Sequence, residues 1–213
     1  MLRFTFAIFL LLLVVQITAQ EVTHQQSYWT RVYFQGKINE KWTWNLETDE
    51  RRLIRPDRQL QFIARANIQI KFNTLLAIAG GTTYSLVNDI PEWRLFQEFY
   101  WAVPLTKKLK ITNRFRTEQR SFHVTASNWQ LRLRWRYRLQ LACTVNPKII
   151  LKCSDEYMWQ DDNFDQNRIY TAIEYRFFNR FSCEMGYLKL YQRRKDNLFF
   201  NRDILRTTFC FYV

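Results

Sequence analysis

Residues 129–141 read Trp129-Gln130-Leu131-Arg132-Leu133-Arg134-Trp135-Arg136-Tyr137-Arg138-Leu139-Gln140-Leu141. In an extended chain, side chains alternate between two faces. The odd positions then form one apolar and aromatic face. The even positions carry four arginines between two glutamines. A helix would mix both sets around its circumference, so the stretch is predicted to be a strand. One of its surfaces meets a continuous apolar medium, and the other holds guanidiniums that stay charged at any accessible pH. A β-barrel in a bilayer supplies both environments, with lipid outside and a polar interior.

The same alternation recurs along the chain. About eleven segments can be drawn, near 27–38, 42–52, 59–72, 75–86, 93–103, 109–122, 129–142, 148–158, 166–177, 181–192 and 202–213. Most are longer than the 5–6 residues usual in globular strands, and they suit tilted membrane strands of about 9–11 residues. Short connections at 39–41, 73–74, 104–108, 145–147 and 178–180 alternate with longer ones around 55–57, 88–92, 123–128, 160–165 and 193–201. That is the pattern of an antiparallel up-and-down meander. Bacterial single-chain barrels have even strand numbers, so the expected count is 10 or 12 rather than eleven.

Alternation alone does not say which face is inside. Three features favour lipid outside. A barrel of more than about eight strands leaves a cavity, which an apolar lining would have to fill with a large greasy ligand. Trp93 and Trp101 share a face, spaced roughly 20 Å apart along a tilted strand, close to the ~25 Å apolar band between aromatic girdles. The polar faces also carry glutamates to match their arginines. The expected lipid-facing set is therefore Trp93, Trp101, Trp129, Leu131, Leu133 and Trp135. The expected interior set is Arg94, Glu98, Arg114, Arg116, Glu118, Arg120, Arg132, Arg134, Arg136, Arg138, Glu156, Arg168 and Glu174. A soluble barrel or two-sheet sandwich is the competing architecture.

The hairpin of segments 109–122 and 129–142 sets two arginine rows against each other. Directly opposed like charges destabilise a sheet. Glu98, Glu118, Glu156 and Glu174 are the expected counter-charges. Three readings of the interior stay open: a salt-bridge network filling a narrow barrel, an anion-preferring passive channel, and a site for a small anion or lipid phosphate held by arginine forks.

The 213-residue chain has a formal charge of +13, 17% aromatic residues, and only 4 Gly and 4 Pro. This composition argues against disorder and against a Gly-rich loop protein. Met1-Leu2-Arg3, an apolar run over 4–17 and Thr18-Ala19-Gln20 have the form of a secretory signal cut after Ala19, with a retained anchor helix as the alternative. One domain over 20–213, surrounded by outer-membrane lipid, is expected to follow. Nucleic-acid binding fits poorly with an exported chain whose arginines line strand faces. The cysteines Cys143, Cys153, Cys183 and Cys210 could pair in an oxidising compartment. The first three, however, fall on apolar faces and read as small hydrophobes. They lack metal-type spacing, and His24 and His123 are the only histidines, so neither a metal nor a cofactor is expected. Ser121, His123 and Ser127, with Glu118 nearby, are the one constellation from which a nucleophile and base could be drawn for a lipid-modifying enzyme. No nucleophile elbow accompanies them.

Several short motifs, in this order, resemble an uncharacterised family of exported barrels from Bacteroidota, domain of unknown function number 2490. They are Trp29, Arg116-Thr117-Glu118-Gln119-Arg120, the arginines at 132, 134 and 136, Asp165-Gln166-Asn167-Arg168, and Gly186-Tyr187. The resemblance spans nearly the whole chain after the signal. It implies an outer-membrane barrel of unknown role and offers no catalytic residues to carry over.

Overall fold

The computed structural model describes residues 23–88, 90–125, 128–193 and 199–213, and the side chains of 23, 123–125 and 128 are also not described. The expected signal over 1–19 lies outside these residues. The described chain is built of strands: β1 (Thr23–Lys37), β2 (Trp42–Leu53), β3 (Arg58–Lys71), β4 (Leu76–Val87), β5 (Ile90–Pro104), β6 (Leu109–Thr125), β7 (Asn128–Asn146), β8 (Ile149–Gln160), β9 (Asn163–Phe178), β10 (Phe181–Arg193) and β11 (Phe199–Tyr212).

Each strand pairs antiparallel with its sequence neighbour, and the sheet closes into a single barrel. It is not a two-sheet sandwich. The expectation of an even count is not met, since the described residues form eleven strands. In a meander of odd number the first and last strands run the same way. β1 and β11 therefore close the barrel in parallel, with Trp29 beside Arg206 and Arg31 beside Thr208. This register keeps Arg31 and Thr208 on the same inner face, so closure preserves the inside–outside alternation.

The segments read from the sequence fall on the strands, but the strands run further. Among connections that are wholly described, one end has residues 38–41, 72–75, 105–108, 147–148 and 179–180 between strands, and the other has 54–57 and 161–162, so the connection expected to be long around 160–165 is as short as those at the first end. Polar residues near the second end, such as Glu92 and Gln160, stay paired in the ladder, although their composition reads as loop.

Turns at the first end share a device. The side-chain oxygens of Asn39, Asn73, Thr106 and Asn146 each accept from the backbone N–H groups two and three residues on, at 2.8–3.2 Å. This is the Asx or Ser/Thr turn, which satisfies amides that no strand partner reaches. At the other end, Asn88, Asp161 and Asp162 adopt φ of 47°, 48° and 64°, a region these short polar residues tolerate.

Sidedness follows the alternation. Leu131 is 73% exposed on the outside, whereas Arg134 and Arg136 on the same strand are 5% and 6% exposed. Trp93, Trp101, Trp129 and Leu133 are also exposed, and Trp135 is half-buried against Phe115, with ring centroids 5.6 Å apart. Glycine matters where rings cross the ladder. A Cβ on Gly36 would meet the Trp44 ring at 2.3 Å, and one on Gly186 would meet the Tyr170 ring at 2.6 Å.

Candidate functional site

The inner faces of β5 to β8 build an arginine–carboxylate lattice. Across the β6–β7 hairpin, Arg114 faces Arg138, Arg116 faces Arg136, Arg120 faces Arg132, and Glu118 faces Arg134. Like charges are thus opposed in three of four places, and the carboxylates that compensate them come from the hairpin itself and from both flanking strands.

Glu118 is the centre of the lattice. It is 1% exposed. One oxygen accepts from Arg136 Nη1 at 2.8 Å and Arg116 Nη1 at 3.2 Å, and the other accepts from Arg134 Nε at 2.8 Å. On β5, Glu98 accepts from Arg116 Nε at 2.6 Å and from the Tyr100 hydroxyl at 2.7 Å, and Arg114 lies 3.2 Å away. On β8, Glu156 accepts from Arg136 Nη2 at 2.9 Å through both oxygens and also binds Arg114. Guanidinium suits this work because its planar fork serves two carboxylates at once and cannot lose its proton.

The rest of the interior is satisfied in smaller groups. Glu47 and Asp49 hold Arg31, Arg51 and Arg65. Lys152 bridges Glu174 and Glu184, both at 2.6 Å, and Glu184 also takes Arg206 at 2.9 Å. Arg168 is held by Gln166 at 3.0 Å and approaches Glu156 at 3.9 Å.

A cavity of about 530 Å³ runs through this interior. Its lining extends from Leu60, Val87 and Gln192 near one end to Gln69, Gln140 and Cys210 toward the other. It includes Arg94, Glu98, Arg114, Arg116, Arg120, Arg134, Arg136, Arg138, Glu156 and Arg168. Cationic side chains outnumber carboxylates along its wall.

Three residues expected in the interior set sit differently. Glu118 is inside but lies behind the arginines that bind it. Glu174 is inside, yet it serves Lys152 and Arg176 rather than the arginine ladder. Its strand, β9, is separated from β7 by β8. Arg132 is exposed near the end of β7 and pairs with Asp161 of the adjoining turn at 2.8 Å.

Other inner residues were missed by the sequence reading. Glu92, placed in a loop by its composition, is fully buried and holds Arg94 at 2.6 Å and Arg120 at 2.5 Å. Its parity with Arg94 was the available signal. Asp49 shares parity with Glu47 and Arg51 in the same way. The interior is also not uniformly polar. Trp29, Tyr170, Ala172, Leu188, Leu190, Phe200 and Ile204 form an apolar cluster inside β1 and β9 to β11, largely across the barrel from the ladder. Arg51 lies over the Trp29 ring at 3.8 Å, Arg206 over Tyr170 at 3.7 Å, and Arg116 over Phe96 at 4.7 Å, so cation–π contact ties the charged and apolar walls together.

Of the constellation considered for catalysis, Glu118 and Ser121 take opposite faces of β6. Glu118 points inward and is saturated by arginines. Ser121, of opposite parity, belongs to the outer face beside Leu131 and Trp93. The His123 side chain and Ser127 lie outside the described residues. Among the described residues no group of three or more His, Cys, Asp and Glu could hold a metal ion. The four cysteines are free thiols, with Cys153 exposed on the outer face and Cys210 lining the cavity.

No curated protein matches the chain. Solved structures of similar fold include two porins. One, described as the NanC porin, aligns with a TM-score of 0.55 and 13% identity, covering 81% of this chain and 91% of that one. The KdgM porin aligns with a TM-score of 0.51 and 10% identity, covering 75% and 82%. At such identities the likeness establishes a porin-type barrel fold. The profile of a family described as protein of unknown function (DUF2490) matches residues 26–201, and the chain belongs to that family.

Proposed function

We propose that this protein is an outer-membrane barrel that acts as a narrow passive channel favouring anions. The observation that carries this reading is the pairing of two surfaces on the same strands. An apolar and aromatic belt faces outward at Leu131, Leu133, Trp93 and Trp101, and a cavity rich in guanidinium lies within. The belt suits acyl chains and the wall suits water and anions. The apolar run at the start of the sequence serves as the export signal in this account, and the surrounding partner is outer-membrane lipid. The solute is a small anion or a phosphate-bearing molecule.

A plugged, structural barrel is the second reading. It is favoured by the ion pairs that reach past a neighbouring strand, such as Arg114 on β6 to Glu156 on β8 and Lys152 on β8 to Glu184 on β10. These narrow the interior. Planar-bilayer recording separates the two. A channel gives stepwise conductance whose reversal potential under a KCl gradient shifts toward the chloride value. A plug gives no steps.

A further inference from the structure

Among the cationic side chains that line the cavity, Arg138 stands apart. It lies on the inner face of β7, between Arg114 across one ladder and Glu156 across the other. Glu156 is turned to other partners: Arg136 binds both of its oxygens at 2.9 Å and Arg114 shares one of them. Arg138 consequently makes no hydrogen bond or ion pair among the described residues, and its Nε is buried without a partner. The Nε of its cross-strand neighbour Arg114 is in the same state. The other cations of the wall are held by carboxylate or amide oxygens.

An enclosed guanidinium cannot shed its proton to escape this position. A polar group without a partner carries a desolvation penalty that a bound counter-ion removes. The planar fork of arginine matches two oxygens of a carboxylate or phosphate. Gln140 and Ser154, paired with each other in the next inner step of the β7–β8 ladder, line the cavity beside it and bring neutral donors.

We propose that Arg138, with Gln140 and Ser154, forms an exchangeable oxyanion site in the cavity, for a solute bearing a phosphate or carboxylate group. The site exists whether or not the barrel conducts. Its consequence for permeation rests on the channel reading above. If both hold, anion preference arises at Arg138, because the paired arginines are already neutralised by Glu92, Glu98, Glu118 and Glu156.

Two measurements on the full chain separate these claims. Phosphorus NMR line broadening of inorganic phosphate is titrated with detergent-purified protein, for the wild type, Arg138→Gln and Arg52→Gln. Arg52 sits outside the cavity, against Glu50 and Asp57. Reversal potentials are then recorded in planar bilayers. The site predicts that Arg138→Gln weakens phosphate binding at least tenfold, that Arg52→Gln stays within twofold of the wild type, and that chloride preference falls with Arg138 alone. Binding without conductance supports the site and removes the channel. Absence of phosphate binding, or equal binding in the wild type and Arg138→Gln, overturns the site even if the barrel conducts. Heat-modifiable gel migration reports folding. If Arg138→Gln does not fold, Arg138→Lys keeps the charge and loses the fork, and binding unchanged from the wild type in that variant overturns the site.

Discussion

Replacing Glu118 by glutamine isolates the lattice that organises the interior. The volume is conserved and one carbonyl oxygen remains as acceptor, so the change is close to a pure removal of charge. Three guanidiniums, from Arg116, Arg134 and Arg136, share this carboxylate. All three are themselves buried. Glu98 and Glu156 still reach Arg116 and Arg136, but Arg134 keeps only Asp165, at 3.6 Å. Removing one partner of a buried pair costs about 3–5 kcal/mol, because it strands an uncompensated charge. That is a factor of roughly 10²–10⁴ in the folding equilibrium. With a urea dependence near 2 kcal/mol per molar, the unfolding midpoint falls by about 1.5–2.5 M. Tryptophan fluorescence of protein folded into lipid vesicles reads this shift. Glu50→Gln removes an equal charge from a solvent-screened pair with Arg52 and leaves the midpoint nearly unchanged. The double variant Glu118→Gln, Arg134→Gln recovers part of the loss, since the stranded charge is gone. A Glu118→Gln protein as stable as the wild type would refute the claim that this carboxylate neutralises the ladder.

Three other perturbations probe different layers. Leu139, on the outer face of β7, is exposed. Leu139→Arg is expected to cost about 2–4 kcal/mol of folding into a bilayer if the position is near its midplane, and much less in detergent, compared by denaturant titration in each medium. Cys153 lies on the outer face. In a chain whose other three cysteines are replaced by serine, a charged thiol reagent leaves it unmodified in vesicles while an apolar one labels it, as read by intact mass. Gly186→Leu forces a side chain onto the Tyr170 ring and the Thr171 carbonyl. It lowers the denaturation midpoint, whereas Gly80→Ala, whose nearest new contact is 3.8 Å away, changes it little.

The β-class, the strand positions and the parity of most interior residues were legible because one rule, period two, governs them all. The Trp129–Leu141 segment alone fixes both faces of β7. What stayed hidden has a common cause: the alternation says which face a residue takes, not what that face meets. Leu188 and Leu190 alternate with Tyr187 and Lys189, so neither face of β10 is clearly polar, and the apolar cluster inside the barrel left no signature. Glu92 was hidden by Asn88, Asp89 and Pro91 before it, which read as a turn. The pairing of Glu174 with Lys152 depends on strand order around the closed sheet, which no single segment carries. The odd strand count emerged from the segments themselves. The parallel β1–β11 seam that accommodates it is a property of closure.

Which face of each strand meets lipid is tested most directly by a spin-label scan of β7 in lipid vesicles. Labels are introduced singly from 131 to 141 in a chain whose native cysteines are replaced, and collision rates are measured with oxygen, which concentrates in lipid, and with a water-soluble nickel chelate. A barrel with lipid outside gives a period-two profile, with oxygen maxima at 131, 133, 139 and 141 and oxygen minima at 132, 134, 136 and 138. Oxygen maxima at the arginine positions, or a profile without that period, would contradict it.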